Sequence, residues 1–370
     1  MGKDFCILSG IYPPDTGGPA KFAETFSTFL TKHGHTIRIL TYTNFKSYRQ
    51  KKEDIAIYAL SRSTPLVSRY MKMIYQISKV VYQKRNILAN GCFIEIAIAR
   101  IFWRFNYSVK IPGDIVWERA RNSGLTTLNI DEFQSVKVNY RYQIFRKLFS
   151  FSIQNANHII VPSSHLKSLC ISWGADSRKI SVIYNSISVE KFPFLNSTKQ
   201  EFDIMTVSRL VPWKGISELI EVAAQLQMKL LIVGDGPQRY ELETLSNKLA
   251  ADVTFTGDIP QDELPALYAK SKIFVLNSSF EATSYALLEA RASGLVTIAN
   301  ENTGSEEVIS HMKDGLLCGP KYDLTLNTAL SLLKSGSVDY ESFRLKARES
   351  VELEFNQNMN FAAIMELCSK

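Results

Sequence analysis

Long apolar runs are missing from this 370-residue chain. No stretch approaches the roughly 18 uncharged residues that a membrane-spanning helix needs. At the start, Lys3 and Asp4 lead into only a short apolar run, Phe5 to Leu8, which reads as a buried strand and not as a secretion signal. Glycine (18 residues) and proline (12) are too scarce for a linker-rich or collagen-like chain. The five cysteines, Cys6, Cys92, Cys170, Cys318 and Cys368, are odd in number and scattered, with no C-x-x-C pair. That argues against a disulfide framework and a structural zinc site, and makes a reducing cytoplasm the expected location. His33, His35, His158, His165 and His311 have no metal-ligand spacing, and no Asp-x-Asp occurs. G-x-G-x-x-G and the P-loop G-x-x-x-x-G-K-[ST] are absent too, so a nicotinamide cofactor has no support. No cofactor and no metal are expected; a diphosphate here would be held by Arg, Lys and backbone amides.

What is present is an ordinary globular composition, 45% hydrophobic and 21% charged, at a length suited to two domains. Charge is unevenly shared. Residues 1–190 hold 26 basic and 12 acidic side chains, whereas residues 191–370 hold 17 and 24. The basic half suggests an anionic partner, either a membrane surface, nucleic acid or a charged substrate; the alternative is an uneven solvated surface.

Short apolar runs alternate with amphipathic stretches, the pattern of α/β units with parallel sheets. Phe5–Ser9 is a predicted strand, followed by a loop with Pro13, Pro14, Gly17, Gly18 and Pro19. A helix over Lys21–Lys32 and a strand over Thr36–Thr41 come next. Residues 66–86 and 138–153 read as helices rich in basic, aromatic and apolar side chains, which could rest on an anionic bilayer or pack on their own sheet. Strands are expected at 157–162 and 179–184, and residues 185–200, with Pro193, Asn196 and Ser197, read as a linker. Beyond it, strands at 202–207, 229–233, 252–256, 272–276 and 295–299 alternate with helices at 215–226, 238–248, 262–269, 284–292 and 304–310. Two such units imply a cleft, with ligands at the strand C-termini.

The strongest candidate site is Glu281-Ala-Thr-Ser-Tyr-Ala-Leu-Leu-Glu289, between a strand and a helix. Thr283 or Ser284 suits the N-cap, and a helix start offers free N–H groups and partial positive charge to a phosphate. Glu281 and Glu289 flank that position, and carboxylates accept well from sugar hydroxyls. A capped helix with two solvated glutamates is the plain alternative. Arg209 follows the strand 202–207, and Lys214 in Trp213-Lys214-Gly215 starts the next helix, so two cations could neutralise a diphosphate. Gly234 in Val233-Gly-Asp-Gly-Pro237 marks a tight turn after another strand, and Gly17-Gly18 would let the backbone approach a phosphate closely.

These residues resemble the retaining glycosyltransferases of the GT-B fold, in particular the GT4 group. The matching stretches are Tyr12-Pro-Pro-Asp-Thr-Gly-Gly18, Val207-Ser-Arg-Leu210 with Trp213-Lys-Gly215, Val233-Gly-Asp-Gly-Pro237, Val253-Thr-Phe-Thr-Gly257 and Glu281 to Glu289 continuing to Ser293-Gly294. The resemblance implies two Rossmann-like domains facing each other across a cleft. Residues 1–190 would bind the acceptor, joined by a crossover helix at about 358–370, and residues 200–355 would bind a nucleotide sugar. It also implies that Arg209 and Lys214 hold the donor diphosphate, with the Thr283, Ser284, Tyr285 and Ala286 segment at its distal phosphate. Glu281 would meet the donor sugar, Glu289 the ribose, Ile259 in Gly257-Asp-Ile259 the base, and Gly17-Gly18 the phosphates. Many relatives carry a His at the end of a first-domain strand, where this chain has Ile111-Pro-Gly-Asp114. Asp114 either stands in for it, with help from Glu118, or only shapes the Pro-Gly turn.

The expected activity is metal-independent, retaining transfer of a hexose-type sugar from a nucleoside diphosphate to a glycan or lipid-linked acceptor hydroxyl. An anionic membrane surface is the expected further partner and nucleic acid is not expected. A sugar-nucleotide epimerase or hydrolase could use the same diphosphate site. A nucleic-acid-binding protein would account for the basic half, but no recognised binding motif accompanies it.

Overall fold

A computed structural model describes residues 4–194, 200–301 and 304–369. The chain forms two compact units, Met1–Tyr184 with Asn358–Lys370, and Asn185–Gln357.

The first unit contains β1 (Asp4–Ser9), α1 (Gly18–Lys32), β2 (Thr36–Thr43), β3 (Tyr48–Lys52), β4 (Ile55–Ser61), α2 (Leu66–Tyr82), β5 (Asn86–Asn90), α3 (Phe93–Phe102), β6 (Ser108–Lys110), α4 (Ile115–Asn122), α5 (Ile130–Gln134), α6 (Tyr140–Gln154), β7 (His158–Val161), α7 (Ser164–Ser172) and β8 (Ile180–Val182). Its sheet runs β3-β4-β2-β1-β5-β6-β7-β8 and is parallel except where β3 pairs with β4. Central β1 is apolar from Phe5 to Leu8 because helices cover both faces of a parallel sheet. On one face, Phe22, Phe26 and Phe29 of α1 recur at helical spacing and are buried. They meet Phe361 from the end of the chain, with ring centroids 5.8, 5.2 and 5.5 Å away.

The second unit holds β9 (Phe202–Val207), α8 (Ile216–Gln225), β10 (Leu230–Val233), α9 (Arg239–Lys248), β11 (Val253–Gly257), α10 (Leu264–Ala269), β12 (Ser271–Leu276), α11 (Tyr285–Ala292), β13 (Val296–Asn300), β14 (Leu316–Cys318), α12 (Leu326–Lys334) and α13 (Tyr340–Glu354). The last helix, α14 (Gln357–Ser369), contributes Phe361, Ile364 and Cys368 to the core of the first unit. The second sheet is wholly parallel, in the order β11-β10-β9-β12-β13-β14. Strand order therefore reverses between β9 and β12, the place where open α/β sheets form a ligand crevice at their C-terminal edge.

Several sequence expectations change. The helix expected over 66–86 stops at Tyr82, and Asn86–Asn90 is a buried strand, set off by the positive-φ residue Lys84. Residues 304–310 form only a 3-10 turn, Gly304–Glu307, because Gly304 is pressed against the Ala282 carbonyl and a Cβ there would lie 1.2 Å from its oxygen. Within the expected linker, Ile187, Val189 and Phe192 are buried and Ile187 pairs with Asn356 as a β-bridge. Asn196 and Ser197 lie outside the described residues.

Candidate functional site

The loops after β9 and β12 flank the strand-order reversal of the second sheet, and they carry Arg209, Lys214, Glu281, Thr283 and Ser284. These loops are tied to each other. The Ser279 amide donates to the Trp213 carbonyl at 2.8 Å, and Asn277 Nδ2 donates to the Gly215 carbonyl at 3.0 Å. Gly215 has φ 61°, and a Cβ on it would sit 2.4 Å from the Asn277 carbonyl oxygen, so only glycine permits this approach. The β10 turn joins on the other side. Gly234 has φ 121°, and its Cβ position falls 2.1 Å from the Ser208 carbonyl oxygen, while its amide donates to Gly257 at 2.9 Å.

Within this frame Lys214 Nζ pairs with the Glu281 carboxylate, which also accepts from Ser278 Oγ at 2.9 Å. The two side chains are only 16% and 14% exposed, so the cation and the acid are held in place, not waving in solvent. Arg209 differs: it is exposed, and its guanidinium makes no hydrogen bond or ion pair among the described residues. Its charge therefore faces solvent, on the same loop as Lys214.

Ser284, and not Thr283, caps α11, with Oγ accepting from the Leu287 amide at 3.4 Å. Thr283 is buried, and its carbonyl accepts from Asn185 Nδ2 at 2.8 Å. Tyr285 and Ala286 open the first turn of α11, directly after the Ser284 cap. Burial, and then the nearby Glu289, push the Tyr285 hydroxyl pKa up, so it stays protonated.

Glu289 is not solvated. It is 2% exposed, and its carboxylate accepts from the Tyr268 hydroxyl at 3.0 Å and Gln261 Nε2 at 3.0 Å. Gln261 belongs to the same connection as half-buried Ile259, so the expected ribose and base contacts are physically linked. Sequence reasoning missed Gln261 and Tyr268; the partners lie 28 and 21 residues from Glu289 and only the fold unites them.

In the first unit, Gly17 has φ 137° and stands at the N-cap of α1, with Gly18 as its first residue. Arg62 holds this loop, donating to the Gly10 carbonyl and the Asp15 carboxylate, both at 2.8 Å. Asn90 Nδ2 grips its far end through the Pro19 carbonyl at 2.9 Å. Neither residue was flagged from the sequence. Asp114 is 2% exposed and caps α4. Its Oδ1 accepts from the Val116 and Trp117 amides at 2.8 and 3.1 Å, and Oδ2 accepts from Gln134 Nε2 at 3.0 Å. Burial pushes its pKa up, while these hydrogen bonds oppose the shift. Oδ1 thus caps α4, and Oδ2 ties that turn to α5 through Gln134.

Residues 188–350 match the family model for glycosyl transferases group 1. The chain is similar to the amylovoran biosynthesis glycosyltransferase AmsK of Erwinia amylovora, 30% identical over 58% of this chain and 56% of that protein. It is also similar to a subunit of the phosphatidylinositol N-acetylglucosaminyltransferase of Homo sapiens, 26% identical over 90% of this chain and 70% of that protein. This chain thus spans a little over half the length of AmsK. Among solved structures, Anabaena HepE in complex with UDP and glucose superposes with a TM-score of 0.76 at 17% identity, covering 99% of each chain. The shared architecture is the GT-B fold.

Proposed function

We propose that this chain, which has the GT-B fold and matches the family model for glycosyl transferases group 1 over residues 188–350, moves a hexose-type sugar from a nucleoside diphosphate to an acceptor hydroxyl on a glycan or lipid-linked glycan. One observation carries this: two cations, a fixed carboxylate and a helix start lie on the two loops that flank the strand-order reversal of one sheet. In this proposal Arg209 and Lys214 bind the donor diphosphate together with the amides of residues 284–286. Glu281 takes sugar hydroxyls, and Glu289 takes the ribose.

The chemical difficulty is the departing diphosphate. The bond from the anomeric carbon to the phosphate oxygen breaks, its electron pair leaves with the nucleotide, and the acceptor oxygen bonds to that carbon. Cations and amides already aimed at the leaving group stabilise this charge without reorganising. The acceptor's proton passes to the departing phosphate oxygen, so no strong protein base is required, and the anomeric configuration is retained without a metal. Asp114 is assigned the role of a cap that shapes its turn.

The test combines thermal-shift screening of nucleotide sugars with mass spectrometry of products. A nucleotide sugar should stabilise the protein, and Arg209→Ala and Lys214→Ala should each lose transfer while remaining folded. Turnover at the normal rate in both variants would defeat the assignment. Release of free or epimerised sugar without acceptor would identify the epimerase or hydrolase alternative.

We also propose an anionic membrane surface on the cytoplasmic side as a partner. Helix α2 buries Met73, Ile77 and Val80, yet on its opposite side Val67, Met71, Tyr75 and Tyr82 are all exposed. Lys72 and Lys79 stand beside this apolar stripe, and the helix contains no acidic residue. Such a surface favours the headgroup boundary of anionic lipid. No helix among the described residues is long and apolar enough to cross a membrane. Failure to co-sediment with anionic liposomes at low salt would end this proposal.

A further inference from the structure

Tyr268 and Gln261 reach Glu289 from different parts of the second unit. Tyr268 is fully buried at the end of α10, with its ring edge-on to Phe192 and tilted against Phe274, so its hydroxyl cannot swing away. Oη lies 3.0 Å from Glu289 Oε2 and 3.3 Å from the Ala286 carbonyl. Burial, then Glu289, hold this phenol well above its ordinary pKa, so it remains a proton donor at neutral pH. Gln261 is exposed, in the connection after β11, and its Nε2 lies 3.0 Å from Glu289 Oε1. A donor on each oxygen fixes the plane of the Glu289 carboxylate.

We infer that Gln261 and Tyr268 are positioning residues that hold Glu289 in the orientation needed for a vicinal diol, and so set a preference for ribo- over 2′-deoxyribonucleoside diphosphates. The inference rests on the proposal that Glu289 binds the donor ribose. A carboxylate in a fixed plane can accept both hydroxyls of the diol at once, whereas one free to rotate accepts them singly. Gln261 also links this contact to the segment around Ile259, so recognition of base and ribose is coupled.

Calorimetry on the full chain with UDP, GDP and ADP and their 2′-deoxy counterparts tests this. Wild type should prefer the ribonucleotide by about tenfold, the worth of one hydrogen bond to a charged group. In Gln261→Ala, an exposed position that folding tolerates, the ratio should fall to about two- to threefold with 2′-deoxy binding unchanged, since only part of that hydrogen bond is lost. Tyr268→Phe keeps the packing and should lower the ratio in the same way. In turnover, both should raise the donor KM with little change in kcat. A wild-type ratio in Gln261→Ala, or tighter donor binding by it, overturns the inference. No preference in wild type, or a preference that survives Glu289→Ala, overturns the underlying ribose assignment instead.

Discussion

Replacing Lys214 by Ala separates the structural from the chemical part of the Lys214–Glu281 pair. With side-chain exposures of 16% and 14%, the pair falls between two limits. Solvated ion pairs contribute ~0–1 kcal/mol, and breaking a fully buried one costs ~3–5 kcal/mol. Ser278 continues to donate to Glu281 after the substitution, which softens the loss. A stability change of about 1–2 kcal/mol follows, too small to unfold a domain of this size. The effect on transfer is larger. A cation roughly 4 Å from a developing unit charge contributes ~4 kcal/mol at an effective dielectric of ~20. Arg209 and the helix amides take up part of that, leaving ~3 kcal/mol, or a fall of ~100–1,000-fold in kcat. Lys214→Arg keeps the charge and should recover a good part of the rate. The assay is nucleoside diphosphate release under saturating donor, run beside a thermal melt. A fall of less than about threefold with an unchanged melt would show that Lys214 does not face the leaving group.

Asp114→Ala removes a cap with two amide partners and should lower the urea midpoint of the first unit by ~1–2 kcal/mol equivalent; a much larger loss of turnover in the folded variant would return Asp114 to the chemistry. Lys110 is 2% exposed beneath the Phe22 ring, and burial brings its pKa down to about 7, below its unfolded value. Between that pH and the unfolded pKa the unfolded chain binds the extra proton, so stability should rise with pH from 7 towards 10, by at most ~1.4 kcal/mol per unit. Lys110→Met should flatten this slope in pH-dependent melts; an unaltered slope would exclude Lys110 as its source. All five cysteines are buried, and burial pushes the Cys6, Cys170, Cys318 and Cys368 thiols up to about 12. Iodoacetamide at pH 8 should therefore label the native chain poorly and the guanidinium-unfolded chain fully, as counted by intact mass.

Arg209, Lys214, Glu281 and Ser284 were legible in the sequence because each lies in the connection directly after an apolar strand, where a parallel sheet exposes its C-terminal edge. Glu289 was legible as a position but not as a state. Its burial depends on Tyr268 and Gln261, which arrive through the packing of α10 and not through local spacing. Gln261 in Pro260-Gln-Asp-Glu263 looks like any polar approach to a helix. The strand Asn86–Asn90 escaped notice because a five-residue buried run directly after a long helix carries no alternation of its own. The 3-10 turn at Gly304 was hidden for another reason, since the Ala282 carbonyl that crowds it is remote in sequence. Short-range pattern thus located the charges, and long-range packing decided which of them are fixed.

Phe361 closes the aromatic cluster of α1, though more than 300 residues of chain separate them. On the ribosome, Phe22, Phe26 and Phe29 are therefore made long before the side chain that covers them. The leading unit can assemble its sheet early but keeps an oily face bare until translation has passed through the whole of the trailing one. Its final closure is a late event, timed by the synthesis of α14 rather than by its own sequence.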